Sequence, residues 1–361
     1  FEALARWDDP TYGMLTPAIF IDVLERTRQA HLVDLCILDE VCAVIERKMR
    51  DLAPFVPVSV NLSRFDLELP DIHDRIDAVL EAHRVPRSAV HFEITESALV
   101  DREQLIADHI AAFHERGYEV WLDDFGSGYS SLNTLQNFDF DCAKIDMAFL
   151  RGGSSKLPQM LCDVVTVSKH MGLKTLVEGV ETEEQLDLLK RIGCMFVQGY
   201  YFSKPLPAQE AARTFVTRGL PLASAQERAL FNDVGMTDVV QGIHPFFESE
   251  PALEAILPLA IFVRENGILR TVYANRALRD YGKASGYGSV GESDATLNYG
   301  DGVVQTIRDA LRQSTVLGSV VEARTPHSPL FGAVRSQLIS VRGDARAYLV
   351  AFDPIERRSA S

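Results

Sequence analysis

One repeated pattern constrains the fold of this chain more than any other feature. From the first residues to about Pro207, short apolar runs each end in a polar or acidic residue, and a stretch with helical periodicity follows. Such alternation over short links predicts parallel strands that are covered by helices on both faces. The predicted strands are 56–62, 90–95, 119–123, 142–146, 174–178 and 195–202, and the predicted helices include 72–83, 104–116, 157–171 and 183–192.

An α/β chain of this kind forms either an open doubly wound sheet or a (β/α)8 TIM-like barrel. A doubly wound nucleotide fold would carry a glycine-rich loop after its first strand, and neither GxGxxG nor GxxxxGK[ST] occurs in the first 207 residues. A barrel instead builds its site from residues at the C-terminal ends of many strands. Nearly every predicted strand here ends in a carboxylate, an amide or a lysine, so the sequence favours the barrel.

The alternating pattern ends after residue 218, which indicates more than one domain in 361 residues. The segment 219–250 has no clear period, so we expect a linker there. From 251 to 355 the sequence is β-rich, and the order of its runs predicts an antiparallel sheet with helices inserted after its second strand. We therefore expect a barrel domain over 1–218, a linker over 219–250 and a smaller α+β domain over 251–355.

The composition excludes several classes of function. A net charge of −15 argues against a long nucleic acid as partner, because that affinity depends on lysine and arginine at phosphates. No apolar run reaches the roughly 18 residues of a spanning helix, so we expect no membrane contact from this fragment. Five cysteines without a CxxC pair indicate reduced thiols and a cytoplasmic location. The chain opens at Phe1 without a signal-peptide pattern, so we expect a piece of a longer, non-secreted protein.

The polar residues at the strand ends are the candidates for chemistry. Taken singly, any one of them is readily explained as a residue that precedes or caps a helix. Thr182 with Gln185, for example, matches a capping box. Together, however, several carboxylates on one rim would repel each other unless cations neutralise them. All are oxygen donors and the nine histidines form no ligand-spaced pair, which favours Mg²⁺ or Mn²⁺ over zinc. The candidates are Glu2, Asn61, Glu93, Glu96, Asp123, Asp124, Lys144, Asp146, Glu178, Glu181 and Gln198.

The adjacent pair Asp123 and Asp124 needs a local turn to serve one metal site, because neighbouring strand residues point to opposite faces. Gly126 and Gly128 would permit that turn. Two bridged ions can activate water and stabilise the leaving oxygen in phosphodiester hydrolysis. Lys144 lies inside an apolar run, and beside such ions it would lose some affinity for its proton, which suits it to orient or deprotonate the attacking water.

A family resemblance rests on motifs that occur in order along the chain. Glu2-Ala3-Leu4 with Arg6 is followed by VNLS, FEITES, LDDFGSGYSSL, KID, VEGVET and QGYYFSKPL. Over about 207 residues these motifs resemble the EAL-domain family of cyclic di-GMP phosphodiesterases. The resemblance implies a (β/α)8-like barrel with one strand reversed, which hydrolyses the bacterial second messenger cyclic di-GMP to linear pGpG with two Mg²⁺ or Mn²⁺ ions.

The same resemblance implies a role for each matched residue. Lys144, Glu178 and Glu181 would be the catalytic positions, with Lys144 activating water. The resemblance also implies two metal sites: a first ion held by Glu2, Asn61, Glu93 and Asp123, and a second held by Asp124 and Glu178 with Asp146 nearby. Arg6 would contact a substrate phosphate, and Gln198 would support the site. Glu96 would brace the loop 124–131, which in this family links the site to the dimer interface.

Two departures from the family pattern stand out. After Glu25 the chain reads RTRQAH where the family usually has a glycine-led turn, so the helix can run on there and alter the nearby surface. The family's first strand would also lie upstream of Phe1, and we expect it in the parent protein. The leading hypothesis is a phosphodiesterase that forms a homodimer and is regulated by its C-terminal domain. A cyclic di-GMP receptor without turnover and a metal-dependent hydrolase of another phosphoester remain alternatives.

The C-terminal region resembles a PAS-type sensory module. IFVRENGILRTVYANRAL is similar to its opening hairpin, and the last three predicted strands would complete a five-stranded sheet. The region has no cysteine for a flavin adduct, and its one histidine, His327, falls in a predicted loop, so we expect neither flavin nor haem. A cofactor-free dimerisation or small-ligand module is the prediction. Four tyrosines could line a pocket or serve as half-buried packing: Tyr273, Tyr281, Tyr287 and Tyr299.

Overall fold

The computed structural model describes residues 1–99, 102–126, 132–146, 157–218, 223–237, 258–275, 277–279, 301–324 and 331–354. The chain divides into two compact units. The first comprises 1–164, 171–186 and 196–223, and the second comprises 165–170, 187–195 and 224–361. No helix within the described ranges has both the length and the apolar character that crossing a bilayer requires.

The first unit is built on a sheet of six strands in which every pairing is parallel. The strands lie side by side in chain order, which confirms the predicted parallel α/β arrangement. The reversed strand that the family resemblance implies is not among the described strands of this sheet. The strands are β3 (Val58–Leu62), β4 (Val90–Thr95), β5 (Glu119–Phe125), β6 (Cys142–Asp146), β7 (Lys174–Glu178) and β8 (Phe196–Val197).

Burial explains why these runs form strands. Val90, Phe92 and Ile94 alternate along β4 and are each fully buried, as are Val120 and Leu122 on β5. Aliphatic and aromatic residues of this kind suit a pleated strand that is covered by helices. The covering helices α3 (Ile72–His83), α4 (Glu103–Arg116), α6 (Leu157–His170) and α7 (Glu183–Arg191) agree closely with the four predicted ones, and α5 (Leu132–Asn137) and α8 (Ala208–Thr217) complete the set.

The two ends of the strand row meet through side chains. Glu2 forms a parallel bridge with Ser59, which places the first residues of the chain beside β3. Gln198, directly after β8, donates a hydrogen bond from Nε2 to Glu2 Oε2 at 2.6 Å. The strand row therefore curls back on itself, as in a barrel.

The last strand of the row is shorter than predicted. The prediction extends to residue 202, whereas β8 ends at Val197. Beyond it the chain crosses close to the segment after β7, where the Val180 N–H donates to Gln198 O and the Tyr201 N–H donates to Val180 O. A Cβ on Gly199 would lie 2.2 Å from Val180 O, so the crossing requires glycine.

The N-terminal region departs from the prediction at the RTRQAH segment. The helix does not run on: α1 (Pro17–Arg26) ends there and α2 (Ala30–Arg50) begins after a short turn. Arg28 adopts φ 57°, the left-handed conformation that a glycine would take at low cost. A hairpin of β1 (Trp7–Asp9) and β2 (Gly13–Leu15) precedes α1.

The second unit contains a five-stranded antiparallel sheet, as the sequence predicts. Helix α10 (Asp301–Gln313) lies between the second and third of its strands along the chain. In order across the sheet, the strands are β10 (Ile268–Ala274), β9 (Leu259–Glu265), β13 (Ala345–Pro354), β12 (Phe331–Arg342) and β11 (Val320–Arg324). The PAS resemblance itself stays a prediction, and Tyr281, Tyr287, Tyr299 and His327 lie outside the described residues.

A helix that the sequence analysis missed covers one face of this sheet. Helix α9 (Ala225–Gly235) lies within the expected linker 219–250. Ser224 and Glu227 form a reciprocal capping box at its start, and Leu230 packs against buried residues of β9 and β13. The other face is covered by α10, whose Ile307 and Leu311 join the larger apolar core. Helices therefore cover the central strands β9 and β13 on both faces.

Candidate active site

The centre of the candidate site is the ammonium group of Lys144, on β6. Its side chain is only 1% exposed, and four carboxylates surround its Nζ atom. The Nζ atom lies 2.6 Å from Glu93 Oε2, 2.6 Å from Glu178 Oε1, 3.0 Å from Asp123 Oδ1 and 3.6 Å from Glu2 Oε2. One buried cation thus gathers carboxylates from four separate segments.

The strand register explains how these residues meet. Glu93 is paired with Asn61 of β3, and Asp123 is paired with the last residue of β4. Asp146 and Glu178 are paired at the ends of β6 and β7. Because parallel strands in register carry equivalent positions at the same level, the polar residues that end these runs collect at one edge of the sheet.

The adjacent pair of aspartates is separated by a break in the strand. Asp124 adopts φ 58°, and the register of β5 against β6 shifts between Leu122 and Phe125. The predicted turn therefore begins at Asp124 itself and continues through Gly126, which has φ 99°. A left-handed non-glycine residue costs about 1 to 3 kcal/mol, and such residues concentrate at functional sites.

The electrostatics of the cluster are dominated by burial and by crowding of like charges. Burial opposes the charge on Lys144, but the carboxylates of Glu93, Glu2 and Asp123 outweigh it and raise the lysine pKa above its ordinary value. Burial raises the pKa of Glu93 and of Glu178 to about 7, against the lowering effect of Lys144. The loss of proton affinity expected for Lys144 beside metal ions therefore stays a prediction about the metal-bound protein.

The donor set fits a hard divalent cation by its chemistry. Glu93 Oε1 is buried and has no hydrogen-bond partner among the described residues, and one ammonium faces four carboxylates. Carboxylate and amide oxygens are the ligands that Mg²⁺ and Mn²⁺ prefer. Within the described part of the chain, no three acidic, histidine or cysteine side chains are already grouped as a metal cage, and the gathered oxygens point at Lys144 Nζ instead.

Among the other predicted residues, Gln198 makes a described hydrogen bond to the cluster. Gln198 holds Glu2 through the bond described above. Arg6 is exposed, and its Nη1 donates to Ala5 O at 2.7 Å. Glu181 is exposed before α7, where its backbone N–H donates to Gln185 Oε1. Glu96 is buried in a 3₁₀ turn after β4, while residues 127–131 of the loop that it would brace lie outside the described residues.

The alternative explanation of Thr182 and Gln185 as a capping box is confirmed. The Gln185 N–H donates to Thr182 Oγ1 at 3.3 Å, and Gln185 Oε1 accepts from the Thr182 N–H at 3.1 Å. These two residues therefore begin helix α7, and their hydrogen bonds give them a structural role.

A second carboxyl pair lies outside the cluster and escaped the sequence analysis. Asp34 on α2 is hydrogen-bonded to Asp66, which follows β3, and burial together with the Asp66 charge raises the pKa of Asp34 to about 9. Asp66 Oδ2 accepts hydrogen bonds from the N–H and hydroxyl of Ser63, at 2.8 and 2.5 Å. No sequence spacing marks this pair, because the partners come from a helix and a distant loop.

Comparison with known proteins identifies the family. A family model described as EAL domain matches residues 1–205, which is more than half of the chain. The chain belongs to the EAL domain family. The matched residues include the whole carboxylate cluster, from Glu2 to Glu178, together with Gln198.

Curated relatives of the EAL domain include proteins named for cyclic di-GMP. The cyclic di-GMP phosphodiesterase RocR of Pseudomonas aeruginosa is 31% identical over 210 residues, which are 58% of this chain and 53% of RocR. The bifunctional diguanylate cyclase/cyclic di-GMP phosphodiesterase MucR of the same species is 31% identical over 214 residues, which are 58% of this chain and 31% of MucR. The chain thus spans about half or less of these relatives' lengths.

Solved structures show the same fold for the EAL domain. A structure described as the PaMucR phosphodiesterase in a c-di-GMP complex matches with a TM-score of 0.54 and 30% identity, over 58% of this chain and 85% of that chain. The EAL enzyme Bd1971, in a form with cAMP and cyclic di-GMP bound, matches with a TM-score of 0.53 and 26% identity, over 58% of each chain.

Proposed function

We propose that the EAL domain hydrolyses cyclic di-GMP to linear pGpG by a two-metal mechanism. The observation that carries the proposal is the set of four carboxylates gathered within 3.6 Å of the buried Lys144 ammonium. The relatives named as cyclic di-GMP phosphodiesterases supply the substrate class. A receptor that binds the messenger without cleaving it would need no such convergence of acidic and basic groups.

In this proposal, oxygen ligands from the strand ends hold two Mg²⁺ or Mn²⁺ ions. When bound, such ions lower the pKa of water and stabilise charge on the leaving oxygen. The set assigned to the first ion is Glu2, Asn61, Glu93 and Asp123, and the set assigned to the second is Asp124 and Glu178, with Asp146 adjacent.

The protein's own groups then position the reactants. Lys144 orients the attacking water, because its ammonium is fixed by several carboxylates and cannot rotate freely. Arg6 is exposed beside Glu2 along the chain and is available to contact a substrate phosphate. Gln198 keeps Glu2 in place through its 2.6 Å hydrogen bond, and Glu181 and Glu96 are assigned supporting roles.

The direct test is a hydrolysis assay on the purified chain. Cyclic di-GMP is incubated with Mg²⁺ or Mn²⁺, with an EDTA control, and the nucleotides are separated by ion-exchange chromatography. We expect metal-dependent pGpG from the wild type and loss of turnover in Glu2→Ala and Asp124→Asn with the fold retained. Asp139→Asn is a matched control, because that side chain is 96% exposed. If cyclic di-GMP were bound but not cleaved, the chain would be a receptor. If only another phosphoester were cleaved, that compound would replace cyclic di-GMP as the proposed substrate.

We also propose that the EAL domain acts in the cytoplasm as a homodimer and that the C-terminal unit regulates it as a PAS-like module over about 251–355. The support is the sequence resemblance, the reduced cysteines and the separate antiparallel sheet. Light scattering on the purified chain tests the dimer, and hydrolysis by a chain ending at residue 218 tests regulation. Equal turnover with and without the second unit would reject the regulatory role.

A further inference from the structure

A cleft rich in arginine lies in the first unit, beside the strand ends that carry Asn61 and Glu93. Its volume is about 560 Å³, and its lining comes from the α1–α2 turn, the loop after β3 and the segment after β4. We call it the arginine cleft. Its charged and aromatic lining consists of Arg26, Arg28, Arg64, Arg102, Glu25, Glu68 and Phe65.

The charge of the arginine cleft is opposite to that of the chain as a whole. Glu68 is shared between Arg102 at 3.0 Å and Arg28 at 3.5 Å. Arg26 and Arg64 have no carboxylate ion-pair partner among the described residues. Among its described lining residues, the cleft therefore carries two more positive than negative side chains, in a chain with net charge −15. Local cationic excess of this kind attracts anions.

Two of the four guanidinium groups of the cleft lie over an aromatic ring. The Arg64 guanidinium lies 4.8 Å from the ring centroid of Phe65, and that of Arg28 lies 5.9 Å from it. Phe65 is only 8% exposed, so the ring is a fixed platform. Arg26 is held by a 3.0 Å bond from Nε to Asp22 O. Such anchoring lowers the entropy that these side chains would lose on binding.

We propose that the arginine cleft binds a phosphate monoester or inorganic phosphate, at a site separate from the carboxylate cluster. A monoester carries a charge of about −1.5 to −2 near pH 7, which balances the net charge of the cleft. Guanidinium forks bind phosphate oxygens in pairs, whereas a phosphodiester offers only one negative charge. The shared chemistry is a terminal phosphate, either free or at the end of a nucleotide.

The experiment is calorimetric titration of the full chain in metal-free buffer, without cyclic di-GMP. Three probes are compared: inorganic phosphate, GMP and guanosine. We expect phosphate and GMP to bind and guanosine not to bind. Tighter binding of GMP than of phosphate would identify a nucleotide as the source, and equal binding would identify free phosphate. Binding of guanosine as tightly as GMP, or no binding of either anion at millimolar concentration, would overturn the proposal.

Matched variants locate the binding. Arg64→Gln removes a guanidinium of the cleft and should weaken GMP binding about tenfold or more, since a charge-assisted bond is lost. Arg64→Lys keeps the positive charge but lacks the guanidinium fork, so its affinity for GMP should lie between those of the wild type and Arg64→Gln. Arg50→Gln removes an exposed arginine that is not part of the cleft lining and should leave binding unchanged. Equal losses in Arg64→Gln and Arg50→Gln would reject the cleft, and circular dichroism checks that each variant is folded.

The result is independent of the proposed hydrolysis. The titration contains no divalent metal and measures no turnover, so failure of the cleft proposal leaves the carboxylate cluster untouched. Conversely, if the chain bound phosphate in the cleft but did not cleave cyclic di-GMP, only the proposed hydrolysis would be rejected.

Discussion

Replacing Lys144 with methionine removes the one cation at the centre of the carboxylate cluster while keeping a side chain of similar length. Breaking a buried ion pair from one side costs about 3 to 5 kcal/mol, because the partner charge is left uncompensated. Four carboxylates lie within 3.6 Å of Lys144 Nζ, so the upper part of that range applies. In metal-free buffer we expect Lys144→Met to lower the free energy of unfolding by about 4 to 5 kcal/mol.

Tryptophan fluorescence during unfolding in urea reports on the first structural unit, which contains Lys144. The chain has two tryptophans, Trp7 and Trp121, and both belong to the first unit. With a urea dependence of about 2 kcal/mol per molar, the expected loss lowers the midpoint by about 2 M. The matched control is Lys174→Met on β7, where one half-buried carboxylate, Glu119, lies 2.6 Å from the ammonium. That variant should lose only about 1 kcal/mol.

Adding Mg²⁺ extends the same experiment to the metal proposal. Both variants keep the proposed oxygen ligands, but Lys144→Met leaves them without the neutralising ammonium, so Mg²⁺ should raise the midpoint of this variant more than that of Lys174→Met. A loss below 1 kcal/mol in Lys144→Met, or equal losses in the two variants, would refute the reasoning that burial of the cluster makes its charges costly.

Three further variants test other features. Asp34→Asn should raise the free energy of unfolding at pH 8 by several kcal/mol, because the pKa of Asp34 is raised to about 9 in the folded protein and each pKa unit is worth about 1.4 kcal/mol. The contribution of Asp34 to wild-type stability is full below pH 4 and is lost as pH rises toward 9; urea midpoints that depend on pH equally in both proteins would contradict this. Gly199→Ala should cost about 1 to 3 kcal/mol in the same fluorescence assay, since its Cβ would lie 2.2 Å from Val180 O; an unchanged midpoint would show that the crossing is loose. Ser224→Ala should cost about 1 kcal/mol, seen as faster hydrogen exchange across 225–235, and unaltered protection would show that the capping box is not stabilising.

The sequence predicts those features that depend on local pattern. The parallel strands and four of the helices follow from periodicity, and the acidic residues at strand ends collect at one edge because parallel strands share a direction. The position of Lys144 within an apolar run also marked it as more than a solvated charge. The glycines after Asp124 also indicated a turn, but the start of that turn at Asp124 itself and the register shift beside it follow from no pattern in the sequence.

Features set by long-range packing escaped the prediction. Strand β8 is short because Gly199 crosses against Val180, a contact between separate loops. The α1–α2 turn depends on a left-handed Arg28, for which the sequence offers no glycine as a signal. Helix α9 did leave a signal, since Ser224 and Glu227 have the spacing of a capping box, but its lack of clear periodicity concealed it.

The bond between Gln198 and Glu2 joins residues that are 196 positions apart. On the ribosome, Glu2 emerges long before its partner, so the carboxylate cluster cannot take its final form until nearly the whole EAL domain has been synthesised. A nascent chain that stops before β8 would carry most of the acidic residues but would lack the hydrogen bond from Gln198 to the Glu2 side chain. Completion of the site is thus tied to completion of the domain, and partial products of translation are kept from presenting a finished centre.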